Sequence, residues 1–228
     1  MLVNDWMNTP VVTIDRKDSL LKAVNLMKEH EISILPVLDG ARLVGVITDR
    51  DLKRSAPSDV LLGDMKDILY HMGSVKVEAA MSTDPITVPP DYTLEEVADV
   101  FLTNNISGCP VLSYEGDLAG IITKKDLFRA VIVVPGFRKR GVVFGFMLED
   151  RPGSIKEVTD VIRKYNARLI SIMATYAKAP EGYRYVYIRA FMIERRILPQ
   201  LNQELAETAK LLYMVDLRDG KRETYANY

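Results

Sequence analysis

The chain has 228 residues, 30 Lys and Arg against 31 Asp and Glu, and a formal net charge of −1. That length predicts two domains, or one large one, with enough chain to bury real cores. The charge balance excludes any broad attraction to nucleic acid or an anionic membrane. The single Cys109 excludes an intramolecular disulfide and fits a reducing compartment. No apolar run approaches the ~18 residues of a membrane span. Asn4 and Asp5 stand where a signal peptide would be basic and then apolar, so the expected location is cytoplasmic.

Read in order, the chain states one unit twice. Met7-Asn8-Thr9-Pro10-Val11-Val12-Thr13-Ile14 returns as Met81-Ser82-Thr83-Asp84-Pro85-Ile86-Thr87-Val88. Ser19 and Thr93 are N-cap candidates for helices with apolar stripes at Leu20, Ala23, Val24, Met27 and at Leu94, Val97, Ala98, Phe101. Glu96 adds a capping box to the second. Strands follow through Leu35-Pro36-Val37-Leu38 and Cys109-Pro110-Val111-Leu112, whose prolines predict an edge or strand-start position. Turns at Asp39-Gly40 and Glu115-Gly116 lead into Gly45-Val46-Ile47-Thr48-Asp49-Arg50-Asp51 and Gly120-Ile121-Ile122-Thr123-Lys124-Lys125-Asp126. Each unit reads β-α-β-β-α and is too small to cover its own sheet, so two should pack together.

The strand-to-helix turn offers two chemistries. Thr-x-x-Asp approximates a capping box that needs no ligand. It also places a carboxylate in a first helical turn with free backbone N–H groups, which suits an anion. Duplication favours a functional role. Arg50, Lys124 and Lys125 suit phosphates, with a solvated helix start as the plain alternative. Cys109 reads as a small core residue. Between the units, Pro57–Ser74 carries a helical stripe at Val60, Leu61, Asp64, Met65, Ile68, Leu69 and Met72, expected to be a connecting helix. His30 and His71 are isolated and make no metal site.

The duplicated starts, the Ile-Ser-x-x-Pro-Val strands and the Gly-apolar-apolar-Thr-x-x-Asp closes resemble the CBS domain in a tandem pair, over about the first 135 residues. The resemblance implies an adenine nucleotide (AMP, ADP or ATP) or S-adenosylmethionine bound in the cleft between the units. It implies ribose hydroxyls on Asp51 and Asp126, ribose or phosphate on Thr48 and Thr123, and adenine against the backbone at Ile34 and Gly108. Thr9 and Thr83, from the start of each copy, join that set with Arg50, Lys124 and Lys125. The ligand is regulatory; no catalytic cofactor is implied.

Val134-Pro135-Gly136-Phe137-Arg138-Lys139-Arg140-Gly141 mixes breakers and charge and reads as a linker, its basic triplet as a solvated connector. Beyond it the pattern is β-α-β-β-α-β, a ferredoxin-like order with both helices on one face of an antiparallel sheet. Ile155, Val158, Ile162 and Tyr165 stripe its first helix; Leu198, Leu201 and Leu205 stripe its second. Asn166 is placed as a left-handed cap. Val186, Ile188 and Ala190 should face the helices, while Tyr183, Tyr185, Tyr187 and Phe191 alternate onto the other face with Arg189, as an interface. The turn Asp150-Arg151-Pro152-Gly153-x-Ile155 resembles the ACT domain, a regulatory module that often binds amino acids at this turn, through Asp150, Pro152 and Gly153 here. Arg168-Leu169 stand where that family commonly has Asn-Ile.

The expected fold class is therefore α/β (α+β), a CBS pair followed by an ACT-like domain: 1–74, 75–136 and 142–228. That arrangement resembles the bacterial acetoin-utilisation accessory proteins, although no residue here speaks of acetoin. The expectation is a non-catalytic regulatory protein that senses an adenosyl ligand, forms a homodimer and acts on a partner enzyme. The alternative is a ligand-free structural or interaction module. No Ser-His-Asp set or phosphate-loop motif supports catalysis.

Overall fold

The computed structural model describes residues 1–55 and 65–225, with side chains of 65–68 left aside. The chain divides into two compact units, Met1–Phe128 and Arg129–Tyr228.

In the first unit the order is β1 (Ile14–Asp15), α1 (Leu20–Glu29), β2 (Ile34–Asp39), β3 (Arg42–Thr48), α2 (Asp49–Arg54), α3 (Met65–Ser74), β4 (Ser82–Thr83), α4 (Leu94–Thr103), β5 (Gly108–Leu112), β6 (Leu118–Thr123) and α5, which begins at Lys124 and ends at Val133. The repeat is one of burial as well as letters. Ile14, Leu20, Ala23, Met27, Leu35, Val37 and Ile47 are buried in the first copy, and their counterparts Val88, Leu94, Val97, Phe101, Cys109, Val111 and Ile122 are buried in the second. Cys109 is thus a core side chain, and burial pushes its thiol up to about 12. Ser19 and Thr93 cap α1 and α4 by accepting from the N–H of Lys22 and Glu96.

Each copy lends its start to the other. β4 pairs with β3, Gly45 opposite Thr83 and Val46 opposite Ser82. In the same way Asn8 bridges to Ile121 in β6. This exchange explains the glycine that opens each motif. A Cβ on Gly45 would lie 2.7 Å from the Ser82 carbonyl and 2.8 Å from Met81 Sδ; one on Gly120 would lie 2.4 Å from Met7 Sδ.

Pro110 lies in β5 of the two-stranded β5-β6 sheet, an edge position as expected, whereas Pro36 is not at an edge. Pro36 lies inside β2, between β1 and β3. It is tolerated because two-residue β1 pairs only with Val37 and Leu38, so no ladder bond is asked of position 36 on that side. In the segment between the copies, Met72 on α3 is buried. Val60, Leu61 and Asp64 of the expected stripe, with the side chains of Met65 and Ile68, lie outside the described residues.

The second unit holds β7 (Val142–Glu149), α6 (Ser154–Lys164), β8 (Arg168–Thr175), β9 (Tyr183–Phe191), α7 (Leu198–Thr208), β10 (Lys210–Asp216) and β11 (Lys221–Thr224). The sheet order is β11-β10-β7-β9-β8, antiparallel throughout. The four strands other than β11 carry the ferredoxin-like order. Val158 and Ile162 of α6 and Leu201 and Leu205 of α7 share one core with Phe144, Phe146, Val186 and Ile188. Asn166 adopts φ +58° at the end of α6, as a left-handed cap requires. Strand β11 was not legible as a strand: Lys221-Arg222-Glu223-Thr224 is all polar and follows a turn at Gly220.

The basic triplet Arg138-Lys139-Arg140 is exposed, as a solvated connector would be, while the segment around it touches this unit at a few points. Ser171 Oγ donates to the Pro135 carbonyl at 3.0 Å. The Arg189 guanidinium lies 5.6 Å from the Phe137 ring centre, and Lys139 Nζ lies 5.5 Å from that of Phe191. The aromatic face of β9 attracts the segment's Phe and Lys through its rings and its cation.

Candidate functional site

The first motif turn is fixed by its own threonine. Thr48 is the N-cap of α2 and accepts from Asp51 N at 3.3 Å. Asp51 Oδ2 accepts from Thr48 N at 2.9 Å and from Thr48 Oγ1 at 2.6 Å. Asp51 Oδ1 is met by the Arg54 guanidinium. Burial pushes the Asp51 carboxyl up, but the bonds from Thr48 and Arg54 outweigh it and hold it below the ordinary carboxylate range. The second turn repeats this: Thr123 N and Oγ1 donate to Asp126 Oδ2 at 3.0 and 2.6 Å. Both carboxylates are buried, 5% exposed for Asp51 and 2% for Asp126.

Because the copies exchange their starts, the first turn faces a segment of the second copy. Together they line a cavity of about 340 Å³. It gathers Ile34, Thr48, Arg50 and Asp51 from the first copy and Thr83, Gly108 and Lys124 from the second. Thr9, Thr123, Lys125 and Asp126 do not line it. Arg54, Ser82, Asp84 and Ile86 do, and were not singled out from the sequence. One signal was available for Arg54: it stands three residues after Asp51, as Arg129 stands three after Asp126. Lys53 is tied to Asp49 at 3.1 Å, whereas Arg50 and Lys124 make no ion pair among the described residues. The wall therefore offers buried acceptors, a backbone edge at Gly108 and two cations, a set that matches hydroxyls, a planar base and an anion.

The turn of the second unit is tied internally. Gly153 adopts φ +89° ahead of α6. Asp150 Oδ1 accepts from Tyr176 Oη at 3.2 Å and lies 3.6 Å from Arg184 Nη1. Arg151 clasps Glu157 through two bonds of 2.7 and 2.8 Å and reaches Glu149 at 3.0 Å. A cavity of about 430 Å³ beside it is lined by Glu149, Arg151, Ser154, Glu157 and Tyr183 among others; Asp150, Pro152 and Gly153 are not in its wall. On the β9 face Tyr187 stacks with Tyr213 at 6.3 Å, and Arg189 Nε and Nη1 are buried without a hydrogen-bond partner. Among the described residues no group of three or more His, Cys, Asp or Glu is placed to hold a metal, and no helix is long and apolar enough to cross a membrane.

The exchanged starts, the paired motif turns and the shared cavity define a tandem CBS pair. Residues 3–58 and 75–133 match the CBS domain family, and the chain belongs to it. An inosine-5'-monophosphate dehydrogenase of Korarchaeum cryptofilum is 37% identical over 118 residues, 52% of this chain and 22% of that enzyme. The chain thus spans about a fifth of the enzyme's length. A CBS domain-containing protein of Dictyostelium discoideum is 33% identical over 135 residues, 59% of this chain and 93% of that protein. A solved structure from Vibrio cholerae, of a protein assigned to acetoin utilization, is 26% identical with a TM-score of 0.51, covering 61% of this chain and 96% of that one.

Proposed function

We propose that this chain is a non-catalytic regulatory protein that senses an adenosine-containing ligand in its CBS cleft. The observation that carries the reading is the cavity that brings Thr48 and Asp51 of one copy against Thr83, Gly108 and Lys124 of the other. Asp51 would accept from the ribose hydroxyls, the backbone at Ile34 and Gly108 would flank the base, and Arg50 with Lys124 would meet phosphate. In this reading the ligand is AMP, ADP, ATP or S-adenosylmethionine, and residues 142–228 form an ACT-like domain that passes the signal on. The copies are taken as 1–74 and 75–136. The β9 face, with Tyr183, Tyr185, Tyr187 and Phe191, is the proposed contact of a homodimer, and a partner enzyme is the proposed target. The Vibrio cholerae structure, which matches 61% of this chain, is described as that of an acetoin utilization protein; the cavity's residues address only the adenosyl ligand.

A ligand-free interaction module is the second reading. It is favoured by the capping box at Thr48 and Asp51, which satisfies the motif without any ligand. Thermal unfolding with each of the four compounds separates the two. A ligand at 100 times its Kd stabilises the folded state by about 2.7 kcal/mol, a rise of roughly 5 °C for a chain of this size. A rise with at least one compound supports the sensor. No rise and no heat of binding with any of them leaves the interaction module.

A further inference from the structure

The two motif turns share their threonine and aspartate but are met by different residues from the crossing starts, Ser82 and Asn8. Asn8 Nδ2 donates to Asp126 Oδ2 at 2.9 Å, the same oxygen that accepts from Thr123 N and Oγ1. That oxygen therefore already has three donors. Asn8 is held in place by its own backbone: its N–H donates to the Ile121 carbonyl at 2.8 Å, and its carbonyl accepts from Ile121 N at 3.2 Å. At the first turn the matching position is Ser82, from the second copy, which pairs with Val46 as Asn8 does with Ile121. The serine side chain is shorter and makes no hydrogen bond to Asp51; it lines the cavity instead. The added partner of Asp51 is Arg54, whose side chain is 71% exposed. An exposed ion pair of that kind yields easily.

We infer that the pair takes one ligand per chain, in the first-copy cavity, and that Asn8 is the built-in occupant of the second-copy turn. The inference rests on the adenosine-ligand reading above and adds which site is used and why. A ribose hydroxyl arriving at Asp126 Oδ2 must replace a hydrogen bond to a charged acceptor. That exchange lowers affinity at the second turn by roughly ten- to a hundredfold. At the first turn the cavity also presents Arg50 and Lys124, one cation from each copy.

Calorimetric titration of the full chain with AMP, ADP, ATP and S-adenosylmethionine tests this. The wild type should bind one molecule per chain. Asn8→Ser, which gives the second turn the residue of the first, should raise the count to two, and Asp126→Asn added to it should remove the gained site. Asp51→Asn should weaken the wild-type site at least tenfold. Arg50→Glu at an exposed position should also weaken it, which guards against a folding defect in the first variant. Two sites in the wild type would overturn the inference, as would a count of one that Asn8→Ser leaves unchanged or that survives both Asp51→Asn and Arg50→Glu. Binding of none of the four compounds ends the adenosine reading itself, whereas two wild-type sites end only the asymmetry.

Discussion

The two copies of the repeat agree in their cores and disagree at their turns. Seven matching positions, from Ile14 and Val88 to Ile47 and Ile122, are buried in both. The turns at Thr48 and Thr123 have the same internal bonds, yet one faces a cavity and the other is met by Asn8. The core of each copy is set within the copy, so duplication preserves it. Each turn is completed by the start of the other copy, where Asn8 and Ser82 differ. The same repeat thus presents two turns with different neighbours.

The crossing of the starts can be broken at the glycines. Gly45→Ala would drive a Cβ against the Ser82 carbonyl, which is backbone, while Gly120→Ala would press on the Met7 side chain, which can move. We expect Gly45→Ala to cost about 2–3 kcal/mol and Gly120→Ala about 1 kcal/mol, measured by denaturant unfolding. Equal costs would mean that the two crossings are equally tight.

A smaller effect sharpens the comparison at the first turn. Asp51→Asn weakens the bonds that hold Thr48, a loss of about 1 kcal/mol at pH 7. The folded-state carboxyl is held below its usual value. Its contribution is therefore complete above the unfolded pKa of about 3.9 and fades as pH falls below that through the folded-state value. Wild type and variant should converge in stability as pH falls through the folded-state value, below about 3.9. A gap that persists there would assign the loss to packing instead of charge.

Apart from β11, the main elements of both units were legible because their signals are local. Ser19 and Thr93 cap where expected, the stripe of α1 is buried, and Val186, Ile188 and Ala190 face the core. Pro36 misled because its tolerance depends on the shortness of β1, which is a property of the sheet. The contacts of Phe137 with Arg189 and of Lys139 with Phe191 were not legible, because they need a sheet face that spacing alone does not bring near. The cavity was half legible. Thr48 and Asp51 announce themselves by repetition and Gly108 only through the family resemblance, but Ser82 and Ile86 reach it only through the exchange of starts. Nor did spacing say that Asn8 would reach Asp126 from 118 residues away.

Hydrogen exchange with saturating adenine nucleotide tests the central claim most directly. Changes that extend into 142–228 support signalling to the second unit, and changes confined before Val134 mean that the two units are merely tethered. For the cavity, the account predicts slower exchange at 48–51, 82–86 and 105–108, and little change at 8–11 and 123–126. Unchanged exchange at all three cavity segments, in a protein that the same nucleotide stabilises, would contradict it.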